Sequence, residues 1–314
     1  MGEKKRYRHT AYDDAFRTVE QECDDALIYF VNRLFGESYD LSARIDRLRN
    51  EHYSERSGDT TRNISDSHFC ITQDGVTKRY HIECESNGYS GSIIIRLFEY
   101  AVTKAIDSSI SSHDRIVIDL PITGLLVLRD KGNPPEHITF EIHTPAGSIE
   151  YDASVLCMAD YSLEKIFDDQ LYFLIPFYFF NLEKRFSYYE KSAEALQEFV
   201  DIYCDIIERV RLVPESALSQ RSKGVIINEM ASVVKRIASR KKNVSSKVGD
   251  IMGGKAHKIS WLEKYDAAVE KGREEGREEG RKEGRKEGRE ERDELKAQIK
   301  KLEAELAKVK TAML

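Results

Sequence analysis

One stretch limits what this chain can fold into more than any other: Ile64 to Ser86, reading ISDSHFCITQDGVTKRYHIECES. Its two β-prone halves meet at Asp74-Gly75. A type I′ hairpin turn needs positive φ at both central positions, and that pair tolerates it. The turn sets the register: Gln73 faces Val76, His68 faces His81, and Asp66 faces Glu83. Alternate residues share a face, so Asp66, His68, His81, Glu83 and Glu85 project from one side of the hairpin. Directly opposed carboxylates repel. Such a cluster calls for a bound cation, raised pKa values or full hydration. The sharpest reading is a site for Mg²⁺ (or Mn²⁺), ions that take one or two protein carboxylates, with Asp66 and Glu83 as ligands. A metal there would neutralise a phosphate oxygen and lower the pKa of water, which suits phosphodiester hydrolysis. Glu85 lies about 7 Å further along the strand; holding a water, binding a second metal and acting as a base are all open to it. Zinc on His68, His81 and an acid is a rival without a zinc-fold spacing. The plainer alternative is a polar, solvent-facing edge hairpin.

The flanking sequence predicts helices around a sheet. Phe16, Val19, Cys23, Leu27, Phe30, Val31 and Leu34 recur at helical spacing over residues 13–35, and Gly36 is placed to end that helix. Residues 37–62 are polar and irregular and read as a mobile loop. A second helix carries Ile93, Ile94, Leu97, Tyr100, Ala101 and Ala105. Residues 115–129, RIVIDLPITGLLVLR, read as a buried strand interrupted by Pro121 and Gly124. Ile138–Ile142 and Ser148–Tyr151 resemble short strands. From about residue 160 the chain turns helical, with Leu196, Phe199, Val200, Tyr203, Ile206, Ile207 and Val210 on one stripe. The fold class is α/β, a mixed sheet flanked by helices.

The C-terminal third changes character. Between Arg221 and Ser260 stand ten basic residues and only two acidic ones, Glu229 and Asp250. Lys235, Arg236, Arg240, Lys241 and Lys242 are the candidates for phosphate contact; a solvated charged surface is the alternative. Lys271 to Arg289 repeats a four-residue unit with Gly272, Gly276, Gly280, Gly284 and Gly288 in register. A period of four drifts about 40° per repeat on a helix, so no fixed apolar face forms. Glu–Arg and Glu–Lys pairs favour the helix while each glycine costs about 1 kcal/mol. Beyond it Leu295, Ile299, Leu302, Leu306, Val309 and Met313 make a short heptad seam able to pair two copies. The expected division is a core over 1–220, a basic helical segment over 221–265 and a charged, coiled-coil-like tail over 266–314.

The 314 residues carry a net charge of −6, which argues against wholesale nucleic-acid coating but leaves room for a local basic patch. Cys23, Cys70, Cys84, Cys157 and Cys204 are scattered and lack CxxC spacing, so they read as reduced thiols. The opening MGEKKRYRHT has no apolar h-region. The longest apolar run, Leu171–Phe180, is interrupted by Pro176 and too short to span a bilayer. A cytoplasmic protein with no membrane partner is expected.

Several segments in order resemble the PD-(D/E)XK nuclease superfamily, whose signature is an acid on one strand and E-x-K on the next. Within it the chain is similar to the recombination-promoting nucleases, also labelled PD-(D/E)XK nuclease family transposases. Tyr12-Asp13-Asp14-Ala15-Phe16-Arg17 resembles the family's opening D-x-x-F-K, Asp66 its motif acid, and Glu83-Cys84-Glu85-Ser86 its E-x-Q-S. Arg96 and Tyr100 resemble its R-x-x-x-Y helix, Leu120-Pro121 the start of its central strand, and Ile175-Pro176-Phe177-Tyr178 its L-P-F-Y segment. The resemblance covers roughly residues 10 to 290, tail repeats included. It implies a restriction-endonuclease-like core and a metal-dependent DNA endonuclease, with Asp66 and Glu83 as metal ligands and Glu85 assisting. Glu85 departs from the family, since lysine or glutamine is expected there. That departure favours either a second metal or a weakened enzyme serving as a DNA-binding or oligomerising scaffold. Arg96 is the candidate for the missing positive charge; an ion pair with Glu85 or Glu99 is its structural alternative. The expected partners are DNA and a second copy joined through the tail.

Overall fold

The computed structural model describes residues 11–48, 51–56, 59–64 and 67–253. The chain divides into two compact units, Met1–His257 and Lys258–Leu314; the described residues belong to the first. Asp66, the glycine repeats and the heptad seam lie outside them.

Two helices, α1 (Ala11–Glu22) and α2 (Asp24–Phe35), replace the single helix expected over 13–35. Cys23 interrupts at φ −124° and ψ 71°. The apolar stripe nevertheless continues across the break, because Phe16, Val19, Cys23, Leu27, Phe30 and Val31 are all buried. Gly36 ends α2 in the left-handed region at φ 67°, its N–H donating to the Asn32 carbonyl.

The stretch expected to be a loop holds three strands: β1 (Arg44–Arg47), β2 (Glu51–Arg56) and β3 (Asp59–Ile64). Their polar composition conceals them. β1 is an edge strand whose one aliphatic residue, Ile45, pairs with Ile71. Among the described residues β2 and β3 pair with each other alone. The expected hairpin follows as β4 (Ser67–Gln73) and β5 (Val76–Glu85). Asp74 and Gly75 take φ of 54° and 78°; Gln73 pairs with Val76 and His68 with His81. Then come α3 (Gly91–Asp107), β6 (Ile110–Ser111), β7 (Ile116–Val117), β8 (Ile122–Val127), β9 (His137–Thr144) and β10 (Gly147–Cys157). The single strand expected over 115–129 is therefore two, parted at Pro121, which has no N–H to give a ladder.

Six strands form one mixed sheet in the order β1-β4-β5-β8-β10-β9. β1, β4 and β5 are antiparallel, β8 runs parallel to β5 and β10, and β9 returns antiparallel. The parallel step from β5 to β8 requires a crossover, and α3 supplies it. Ile93 and Leu97 of α3 pack on Leu125, Val127 and Ala153. α2 lies on the other face. A Cβ on Gly124 would come within 2.7 Å of Leu34 and 2.8 Å of Phe35, so any side chain there would have to displace those two from β8.

The unit is completed by α4 (Leu163–Asp168), a 3₁₀ segment (Tyr172–Phe180), α5 (Phe186–Tyr189), α6 (Ala193–Leu212), α7 (Gln220–Ile237) and α8 (Lys242–Gly253). The apolar run around Pro176 is core. Phe173 stacks on Phe30 at 4.5 Å and meets Phe16 edge-on at 5.4 Å. No helix among the described residues is long and apolar enough to cross a membrane. Packing shows no boundary at residue 220. α7 lies on α1 and the 3₁₀ segment and buries Val225, Ile226, Ile227, Met230, Val233 and Val234. Lys223, counted among the basic surface residues by sequence, is buried too. Its Nζ donates to the carbonyls of Arg211 and Val213 at 3.1 and 2.5 Å, where the C-terminal pole of α6 favours a cation.

Glu20 on α1 is buried beside Arg47 of β1, which also pairs with Asp24. Burial pushes the Glu20 carboxyl from 4.5 up to about 7, against the pull of Arg47. Between those two values the folded state holds a proton that the unfolded chain releases, so stability falls as pH rises through that window. Glu20→Gln removes the penalty. In urea unfolding the variant should exceed the parent by about 1–3 kcal/mol at pH 8, and the advantage should vanish near pH 4.5.

Candidate active site

β5 carries His81, Glu83 and Glu85 beneath α3, and β4 sets His68 opposite His81. Their parallel neighbours on β8 are Thr123, Leu125 and Val127. The acids thus sit against apolar packing, Glu83 at 2% exposure and Glu85 at 8%. A buried carboxylate needs partners, and three groups serve them. His81 Nε2 lies 3.1 Å from Glu83 Oε1. Arg96 of α3 donates through Nη2 to Glu85 Oε2 at 3.1 Å and places Nε 3.6 Å from Glu83 Oε2. The Asn87 backbone N–H donates to Glu85 Oε1 at 2.7 Å. Arg96 thus forms the ion pair with Glu85 and approaches Glu83 as well.

Arg96, Tyr100 and Lys104 stand four residues apart, which on a helix makes one stripe. The Tyr100 ring meets His81 edge-on at 6.2 Å. Lys104 is 1% exposed. Burial lowers its ammonium to about 8, while the Asp107 and Glu83 carboxylates pull the other way. No motif announces this lysine. The signal available in sequence is its spacing from Arg96 and Tyr100, obscured because Ala101 and Ala105 mark the same helix as simply apolar.

Arg129, at the end of β8, is a second unannounced residue. It donates to the Ser86 carbonyl and pairs with both Glu183 oxygens at 2.6 and 2.9 Å. Its guanidinium also lies 4.7 Å from the Phe180 ring centroid and 5.7 Å from that of Tyr12. The segments carrying Phe16, Glu85-Ser86 and Pro176 therefore meet around one cation and one aromatic cluster.

The ladder of β4 and β5 ends, among the described residues, at Ser67 and Ile82, one step short of Asp66 and Glu83. No group of three or more His, Cys, Asp or Glu among the described residues is placed to hold a metal ion, the zinc set on His68 and His81 included. Lys235, Arg236, Arg240 and Lys242 are exposed at the end of α7 and the start of α8, and Lys241 is half-buried, its Nζ 3.0 Å from Ser187 Oγ. The Glu190 carboxylate accepts from the Asn243 and Val244 N–H groups at 3.0 and 3.3 Å, so an acid stands beside this basic cluster. No family model, curated protein or solved structure matches the chain.

Removing Arg96 would leave two buried carboxylates facing one another without their shared cation. Arg96→Met should lower stability at pH 7 by about 3 kcal/mol in urea unfolding, the scale for stranding a buried charge. Converting Glu85 to Gln in the same background should recover part of that loss.

Proposed function

We propose that this chain is a metal-dependent DNA endonuclease acting in recombination or on mobile elements, built on a restriction-endonuclease-like core. One observation carries the reading: Glu83 and Glu85 stand at the end of the third strand of the antiparallel β1-β4-β5 set, which α3 then links to the parallel strand β8. Two acids separated by one residue on β5, the strand after the one that Asp66 precedes, are what the PD-(D/E)XK resemblance implies, its signature being an acid on one strand and E-x-K on the next.

The donor chemistry fits a hard divalent ion, because buried carboxylate oxygens are what Mg²⁺ takes from protein. Glu83 would hold it together with Asp66, which lies outside the described residues. When bound, such an ion supplies Lewis-acid stabilisation of the phosphate and a more acidic water. The chain's own residues do the rest. Arg96 keeps Glu83 and Glu85 close together. Both Glu85 oxygens are already engaged, by Arg96 and Asn87, which suits positioning better than proton abstraction. Arg96 is the candidate for the positive charge that position 85 lacks, and Lys104 stands two turns further along α3 on the same stripe. Lys235, Arg236, Arg240, Lys241 and Lys242 would take backbone phosphates, a contribution that weakens as salt rises. The heptad seam would join two copies, which suits cutting both strands.

A second reading is a nuclease-fold scaffold that binds DNA without cutting it. It is favoured by Arg96 itself, whose charge serves both acids with no ion required. Incubation with supercoiled plasmid separates the two. The enzyme reading expects Mg²⁺-dependent nicking or linearisation, lost in Asp66→Ala and Glu83→Gln while far-UV circular dichroism stays that of the parent. Undiminished cleavage by either variant removes that residue from the mechanism. Equal DNA binding with and without chelator, and no cleavage at any metal concentration, establishes the scaffold instead.

A further inference from the structure

Among the described residues the short β6–β7 ladder is an exposed apolar segment, and the nuclease reading uses none of its residues. Residues 110–119 are exposed throughout. Ile116, Val117 and Ile118 keep 53%, 37% and 44% of their surface in solvent, and Ile110 keeps 73%. Soluble chains rarely leave a run of β-branched residues uncovered on a strand edge, because such an edge is a template for another strand.

The backbone shows which edge is open. The Arg115 carbonyl accepts from the Ser112 N–H at 2.7 Å, and Val117 pairs with Ile110. Backbone groups alternate between edges along an antiparallel strand. Those of Arg115 and Val117 face β6 and those of Ile116 face away, and the same alternation carried one residue past β7 turns those of Ile118 outward too. Among the described residues β6 and β7 form a sheet of two strands only, and no third strand takes that outer edge.

The sequence of the edge reads Arg115-Ile116-Val117-Ile118-Asp119. It is complementary to itself when reversed: a cation, three apolar residues, an anion. We propose that β7 pairs antiparallel with β7 of a second copy, about a two-fold axis through Val117. In this register Ile116 lies opposite the partner's Ile118, and the two exchange N–H and carbonyl through the outward-facing groups. Val117 meets the partner's Val117 in the non-hydrogen-bonded position. Arg115 stands across from the partner's Asp119 at each end. The two ladders join into one four-stranded sheet, an isologous contact of the kind two-fold dimers use. A register shifted by two would set each Arg115 against the partner's Val117 or Pro121. The charges thus select both the partner and the alignment.

Full-length Val117→Cys tests the contact without interference from the tail. Cα atoms of a non-hydrogen-bonded pair lie about 4.5 Å apart, within reach of a disulfide. Oxidised glutathione takes up the two electrons, and the parent, with its own five cysteines, serves as the blank. The variant should give at least tenfold more disulfide-linked dimer than the parent. Within it, Arg115→Asp or Asp119→Arg should cut cross-linking at least fivefold by placing like charges across the axis. Mixing these two variants, or combining both changes in one chain, should restore it. A Val117→Cys yield no higher than the parent's, or cross-linking indifferent to the charge reversals, overturns the proposal.

Discussion

The end of β5 depends on one guanidinium. Glu83 and Glu85 share a face because a strand repeats every two residues, and that face lies under a helix rather than in water. Two carboxylates held this way repel each other and lose hydration together. Arg96 answers both costs by lying between them. The demand fixes the rotation of α3, since Ile93 and Leu97 must reach the sheet while Arg96 reaches the acids.

The same logic recurs elsewhere in the unit. Lys223 is buried where the carbonyls ending α6 point at it. Glu20 is buried where Arg47 approaches, and Lys104 where Glu83 and Asp107 oppose its desolvation. None of these groups belongs to an apolar pattern. Each has a partner on another element, Lys104 alone having a local one, Asp107, as well, which makes buried charge largely a tertiary property.

That distinction explains how much was legible beforehand. The β4–β5 hairpin and its register follow from Asp74-Gly75, because turn chemistry is local and a two-residue loop leaves one alignment. Gly36 as a helix stop is local in the same sense, and the α3 stripe follows from periodicity. β1, β2 and β3 stayed hidden because an edge strand and an isolated ribbon need no apolar face. The break at Cys23 left no trace, since the buried stripe runs through it. The basic residues beyond 220 read as surface, although the apolar positions between them, from Val225 to Val234, place α7 in the core. Within the candidate site, the pairing of His68 with His81 was readable, and Lys104 and Arg129 were not. Their significance lies in which carbonyl or carboxylate they meet.

Arg129 carries one further implication. A single side chain fastens the Ser86 carbonyl to Glu183 and to the rings of Tyr12 and Phe180, points recruited from three separate parts of the chain. The peptide just after the acids is therefore clamped from behind. Ser86 is thereby tied to the aromatic core as firmly as to its own strand, and a change at Arg129 would loosen the sheet end and the Tyr12–Phe180 pair together.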